Sequence, residues 1–186
     1  QVFGINTMAF GAHAEYVCIP EHKSLALKPI NLSHEEAAAV CEGFIFANNY
    51  LKCIDFKTSP NILINGASGS IGSAALQLAK HYGAKQITAV CNTKNIELIK
   101  SLGANNVIDY TKEDFTQTKY QFNVILDDVK KSTFFKCKKL LRPRGIYFSS
   151  ELGSYSQNIF LALFTPLFSS RKVKFPIPTD SKKDIE

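Results

Sequence analysis

The chain has 186 residues, 45% hydrophobic and 20% charged, the balance of one ordinary globular domain and not of a disordered chain. Ten Gly and seven Pro exclude collagen-like and low-complexity chains, and no run of roughly 18 apolar residues offers a membrane-spanning helix. The net charge is +6, and five scattered cysteines without metal-ligand or disulfide spacing point to reduced thiols.

In chain order, residues 13–30 carry two short strand-like pieces, around 16–19 and 25–27, separated by Pro20 and closed by Pro29. Ser33 and Glu36 form the capping-box pattern of a helix start. A helix is expected through Ala37 to Val40, and a second over 44–53. The pattern then becomes regular. Strands are expected at 61–65, 86–91, 106–109, 122–126 and 145–149, with a last short one at 172–175. Helices are expected at 71–81, 95–102, 132–141 and 155–168, the first two closed by Gly83 and Gly103, the third stopped by Pro143, the last interrupted near Pro166. Strands separated by helices imply crossover units and a parallel sheet covered on both faces. About six such strands predict an α/β, doubly wound parallel sheet of the Rossmann type.

The turn after the first strand of that sheet carries the chemistry. It reads Asn65-Gly66-Ala67-Ser68-Gly69-Ser70-Ile71-Gly72. Small residues let the backbone turn tightly and let a phosphate oxygen approach it. The helix that follows offers free N–H groups and the positive end of its dipole. Strand, glycine turn and helix in this order are the setting in which A-x-G-x-x-G binds a dinucleotide pyrophosphate. Ala67, Ser68, Gly69, Ser70, Ile71 and Gly72 are therefore candidate cofactor contacts. A side chain at Gly72 would push the helix away from the strand.

The end of the next strand discriminates between cofactors. An NAD site wants an acid there for the ribose 2′-hydroxyl. Here the stretch is Asn92-Thr93-Lys94-Asn95, with no acid before Glu97. Amide and hydroxyl donors and a cation favour a 2′-phosphate, hence NADPH over NADH, with Asn92, Thr93 and Lys94 as candidates. The cations Lys130, Lys131, Lys136, Lys138, Lys139, Arg142 and Arg144 read as the solvated face of a helix whose inner face is Phe134, Phe135, Leu140 and Leu141. No nucleic-acid partner is expected. His13, His22, His34 and His81 are scattered and read as surface residues.

Several segments together resemble the medium-chain dehydrogenase/reductase superfamily, in its zinc-free, quinone oxidoreductase-like branch. They are Gly11-Ala12-His13-Ala14-Glu15-Tyr16, Leu25-Ala26-Leu27-Lys28-Pro29, the capping box with Ala37-Ala38-Ala39, the glycine turn, and Leu102-Gly103-Ala104 through Asp109-Tyr110. The resemblance implies NADPH-dependent hydride transfer to a small-molecule quinone, enone or alkenal. It adds Tyr110 to the 2′-phosphate contacts and, through Asp127-Asp128-Val129-Lys130, places Asp128 and Val129 beside the cofactor. The family usually has Gly where Lys130 stands, Thr where Phe46 stands, and a Pro-Gly-Gly turn where this chain has Arg142-Pro143-Arg144-Gly145. Zinc-dependent relatives place a ligand near Cys41 and Glu42, and no metal is expected here.

The resemblance further implies that residues 1–30 are the last pieces of a GroES-like domain, 31–180 the cofactor domain and 181–186 the start of a returning segment. The piece alone is then expected to bind cofactor without turnover. A homodimer formed through a sheet edge is expected, drawing on Tyr147-Phe148 and on 172–178, and a cytoplasmic location follows from the reduced thiols. Two other readings stand beside this one: a non-catalytic NADPH-binding scaffold, and a zinc-dependent alcohol dehydrogenase. The Tyr-x-x-x-Lys pair of short-chain dehydrogenases is absent.

Overall fold

The computed structural model describes residues 1–6, 11–129, 131–150, 152–153, 156–175, 182 and 185. Its centre is a six-stranded, all-parallel sheet. The strands are β3 (Asn61–Asn65), β4 (Gln86–Cys91), β5 (Asn106–Asp109), β6 (Phe122–Asp127), β7 (Leu141–Ser149) and β8 (Lys172–Lys174). They lie in the order β5-β4-β3-β6-β7-β8. Strand order therefore reverses between β3 and β6, and that is where a doubly wound sheet opens a crevice at the carboxyl ends of its strands.

Burial on both faces explains the near-continuous apolar strands. One face gathers Ile62, Ile64, Ile87, Ala89, Val124, Leu126 and Phe148 under α2 (Ser70–His81) and α3 (Ile96–Ser101), with Ala47, Tyr50 and Leu51 of α1 (His34–Leu51). The other gathers Leu63, Ile108, Ile125, Tyr147 and Val173 with Phe134 and Leu140. Phe134 lies in α4 (Phe134–Cys137), a single turn that a 3-10 turn at Lys138–Leu140 continues. α5 (Gln157–Phe168) carries Pro166 in its last turn. No helix among the described residues is long and apolar enough to cross a membrane.

The departures from expectation have local causes. One helix, not two, runs from His34 to Leu51. Ser33 accepts the Glu36 N–H and the Glu36 side chain accepts the Ser33 N–H, and the helix continues straight through Gly43. A Cβ at Gly43 would lie 2.6 Å from the Ser70 backbone oxygen, so this glycine lets α1 press on the start of α2. Of the expected pieces in 13–30, only Leu25–Leu27 (β2) is a strand, paired antiparallel to the unanticipated β1 (Val2–Gly4). Residues 16–19 are not; Tyr16 is 90% exposed and no strand among the described residues pairs with them.

Pro143 does not precede β7 but lies inside it. The β6–β7 register shifts between Phe122↔Leu141 and Val124↔Ile146, and Pro143 falls in the bulge, where no ladder bond needs its missing N–H. The helix expected over 132–141 is consequently short, and Phe135 is 65% exposed, not part of an inner face. Tyr147 and Phe148 are buried on an interior strand and are thereby excluded from a subunit interface. Residues 155 and 176–178 lie outside the described residues.

Cys41, Cys91 and Cys137 are buried thiols and Cys18 and Cys53 are exposed ones; none forms a disulfide. Burial pushes the Cys137 thiol up to about 12 and raises those of Cys41 and Cys91.

Candidate cofactor site

The glycine turn spans the switch point. Gly66 has φ +91°, and a Cβ there would meet the Val129 Cγ1 methyl at 2.7 Å. The N–H groups of Gly66 and Ala67 both donate to the Val90 oxygen, at 3.3 and 3.1 Å, hooking the turn over the end of β4. The Gly69 N–H donates to the Gly66 oxygen at 2.9 Å. The amides of residues 66 and 67 are thus spent on β4 and that of residue 69 on the turn itself. Those left at the start of α2 belong to Ser70, Ile71 and Gly72, and no side chain caps this helix. Ser68, Gly69 and Ser70 are exposed at the mouth. Gly72 is the tight position, because its Cβ would lie 2.2 Å from the Gly66 oxygen. The cradle is closed by backbone, so an anion at its rim meets N–H groups and a dipole end.

The second cluster sits at the ends of β4 and β5, where Cys91 pairs with Asp109. The Tyr110 N–H donates to the Cys91 oxygen at 3.1 Å, so Tyr110 stands beside Asn92. Lys94 and Tyr110 face solvent, Tyr110 at 55%. Thr93 is exposed as well, and its hydroxyl donates to Asp109 Oδ2 at 2.5 Å and lies 3.1 Å from the Thr111 hydroxyl. Asp109 Oδ1 accepts the Thr111 N–H at 3.0 Å and its hydroxyl at 2.7 Å, and Lys112 lies 3.6 Å from Oδ2. These donors, the Thr93 hydroxyl foremost, hold the Asp109 carboxyl down at about 2. Its charge is spent on the ends of its own sheet. The Asn92 side chain accepts the Asn95 N–H at 3.2 Å, fixing the turn that carries Lys94.

The third cluster was not anticipated. Asp127 ends β6 and is 2% exposed. Its Oδ1 accepts from Asn65 Nδ2 at 2.8 Å and its Oδ2 from the Tyr147 hydroxyl at 2.6 Å. Burial and the adjacent carboxylate push the Tyr147 hydroxyl far up, so it stays a donor. The Asp128 N–H reaches the Asn65 oxygen at 3.1 Å, and Val129 packs on Gly66. Lys130 lies outside the described residues. A sequence signal for these groups does exist: Asn65, Asp109 and Asp127 each close an apolar strand run with a polar residue. Between the three clusters lies a cleft of about 410 Å³ lined by Asn65, Gly66, Tyr110, Glu113, Asp114, Phe115, Val129 and Lys131.

Elsewhere the expected chemistry is thin. The four histidines are exposed. Phe46 packs against the core under α1 and α2. Among the described residues, no three His, Cys, Asp or Glu side chains come together as a metal site. The Cys41 thiol donates to the Ala37 oxygen at 3.2 Å and its deprotonation is disfavoured by burial. These residues do not fit a zinc ion.

The family model described as zinc-binding dehydrogenase matches residues 70–176. The chain belongs to the zinc-binding dehydrogenase family. Within it, the likeness is to the quinone oxidoreductase-like branch of the medium-chain dehydrogenases. Over 121 residues the chain is 45% identical to a 2-methylene-furan-3-one reductase of Solanum lycopersicum, covering 64% of this chain and 31% of that protein. It is 39% identical, with the same coverage, to an NADPH-dependent alkenal/one oxidoreductase, chloroplastic, of Arabidopsis thaliana. The quinone oxidoreductase structure from Coxiella burnetii superposes with a TM-score of 0.75 at 22% identity, over 87% of this chain and 50% of that one, a likeness of fold. The chain thus spans about a third of the length of these curated relatives. The family's fold is present, and no ligand cluster for the zinc of the family's name stands among the described residues.

Proposed function

We propose that this zinc-binding dehydrogenase family member is the cofactor-binding part of an NADPH-dependent oxidoreductase that reduces a small-molecule enone, alkenal or quinone. One observation carries the reading: three unspent amides at the start of α2 stand at the switch point, and a solvent-facing lysine and tyrosine stand at the adjacent strand ends. Ser70, Ile71 and Gly72 would bind the pyrophosphate. Ala67, Ser68 and Gly69 would shape the turn. Asn92, Lys94 and Tyr110 would take the 2′-phosphate, with Thr93 supporting them from behind through Asp109. Asp128 and Val129 would bound the ribose side. NADPH, when bound, supplies the hydride. The chain's share is to hold the cofactor's phosphates and exclude water from its adenosine half.

The names of the two plant relatives, an alkenal/one oxidoreductase and a furanone reductase, support the substrate class. The division into a GroES-like remnant at 1–30, a cofactor domain at 31–180 and a returning segment from 181 belongs to the same reading. The cytoplasmic assignment rests on the free thiols alone, since one of these relatives is named as chloroplastic. A homodimer is part of the proposal. Its support is the outer edge of β8, whose described neighbour is β7 alone, next to an exposed apolar stripe on α5.

Calorimetric titration with NADPH and with NADH tests the reading. Tight NADPH binding is expected, with NADH weaker by about tenfold or more, since a charge-assisted phosphate contact is worth roughly 1.5–3 kcal/mol. Lys94→Glu should weaken NADPH strongly and leave NADH nearly unchanged. Equal losses for both cofactors would remove Lys94 from the 2′-phosphate site, and binding of neither would end the proposal.

A further inference from the structure

We infer that Asn65 is an affinity-determining residue, presenting a hydrogen-bond acceptor to the adenosine half of the cofactor, and that Asp127 and Tyr147 are positioning residues that hold it in that orientation. The inference rests on the NADPH reading above.

Asn65 is 4% exposed and lines the cleft between the glycine turn and the ends of β5 and β6. A carboxamide has one end that donates and one that accepts. Both Asp127 oxygens are occupied as acceptors, Oδ1 by Asn65 Nδ2 and Oδ2 by the Tyr147 hydroxyl. Asn65 must therefore turn its NH₂ to Asp127, and its Oδ1 is left on the cleft side. That oxygen has no hydrogen-bond partner among the described residues, and it is not among the water-inaccessible polar atoms. So fixed, the carboxamide offers the cleft one acceptor, which water or a donor on a ligand can meet.

The donor is identified by place. The pyrophosphate cradle lies on one side of the cleft and the cluster of Asn92, Lys94 and Tyr110 on the other, so the cleft receives the adenosine between them. The adenosine half of NADPH carries two neutral donors, the ribose 3′-hydroxyl and the exocyclic amine. Tyr147 contributes from a distance. Its ring is 1% exposed and meets Phe134 edge-on, with 5.9 Å between ring centroids. This fixes its hydroxyl at Asp127, and Asp127 in turn can hold only one end of Asn65.

The test titrates the unmodified protein, Asn65→Leu, Asn65→Thr and Tyr147→Phe with NADPH, with its analogue in which the adenine amine is replaced by a carbonyl, and with a 3′-deoxyribose analogue. Asn65→Leu should lose about fivefold to tenfold in NADPH affinity, the worth of one neutral hydrogen bond. Asn65→Thr, whose hydroxyl both donates and accepts, should recover much of that. Tyr147→Phe should lose less, with the loss confined to ligands that carry the responsible donor. The analogue on which Asn65→Leu has no further effect identifies the donor as amine or hydroxyl. Thermal melting of each apo variant reports folding separately. Unchanged NADPH affinity in Asn65→Leu, or the same loss for all ligands in every variant, would overturn the inference while leaving NADPH binding intact. Failure of the unmodified protein to bind NADPH would instead bring down both.

Discussion

Arg144 holds a left-handed backbone, φ +64°, within the β7 bulge. Relatives were expected to place glycine in this stretch, and a residue with a Cβ is strained at such an angle. Arg144→Gly should stabilise the protein by about 1 kcal/mol, seen as a raised urea midpoint with unchanged slope; a lowered midpoint would show that the arginine side chain outweighs its own strain. Gly72 is the opposite case. Its conformation is ordinary, but the space for a side chain is taken by the Gly66 oxygen. The glycine turn was legible residue by residue because tightness restricts residue type there. The Asn65–Asp127–Tyr147 contacts were not, because Asn65 and Asp127 are 62 positions apart and meet only once β3 and β6 are paired.

At the scale of elements, the central sheet was readable because strands buried on both faces write themselves as apolar runs, and because Ser33, Gly83 and Gly103 mark helix ends. β2 was readable at Leu25–Leu27, but β1 and the bulge were not, since a three-residue strand carries no period to read. The ends of β4 and β5 show what the sequence left open. Thr93, a candidate cofactor contact by sequence, is exposed and also fastens Asp109 through its hydroxyl. The Asp109 carboxyl is held at about 2 against an ordinary 3.8, so its contribution is present above the unfolded value and is lost as pH falls from about 4 through 2. Asp109→Asn should therefore lower the melting temperature at pH 7 and lose less than the unmodified protein on acidification. Parallel acid curves for the two proteins would show that another carboxylate dominates.

For the whole molecule, α5 presents Phe160, Leu163, Phe164, Leu167 and Phe168 at 54–84% exposure, next to β8 on which it packs. A contiguous stripe of this kind marks an interaction surface, and one two-fold axis past β8 would bury two copies of it together with the open sheet edge. Leu163→Glu combined with Phe164→Glu should convert a dimer to a monomer in sedimentation velocity. A monomeric unmodified protein, or a variant that remains dimeric, would remove this face from the interface.

The distribution of cysteines has a consequence for survival in the presence of substrate. Enones and alkenals are electrophiles that add to thiolates, and a protein proposed to reduce them is exposed to them continually. Cys41, Cys91 and Cys137 lie inside the fold with their thiols held protonated, so the core carries no nucleophile for such a compound to find. Adducts fall instead on the exposed Cys18 and Cys53, the second of which lies beside α5 and β8.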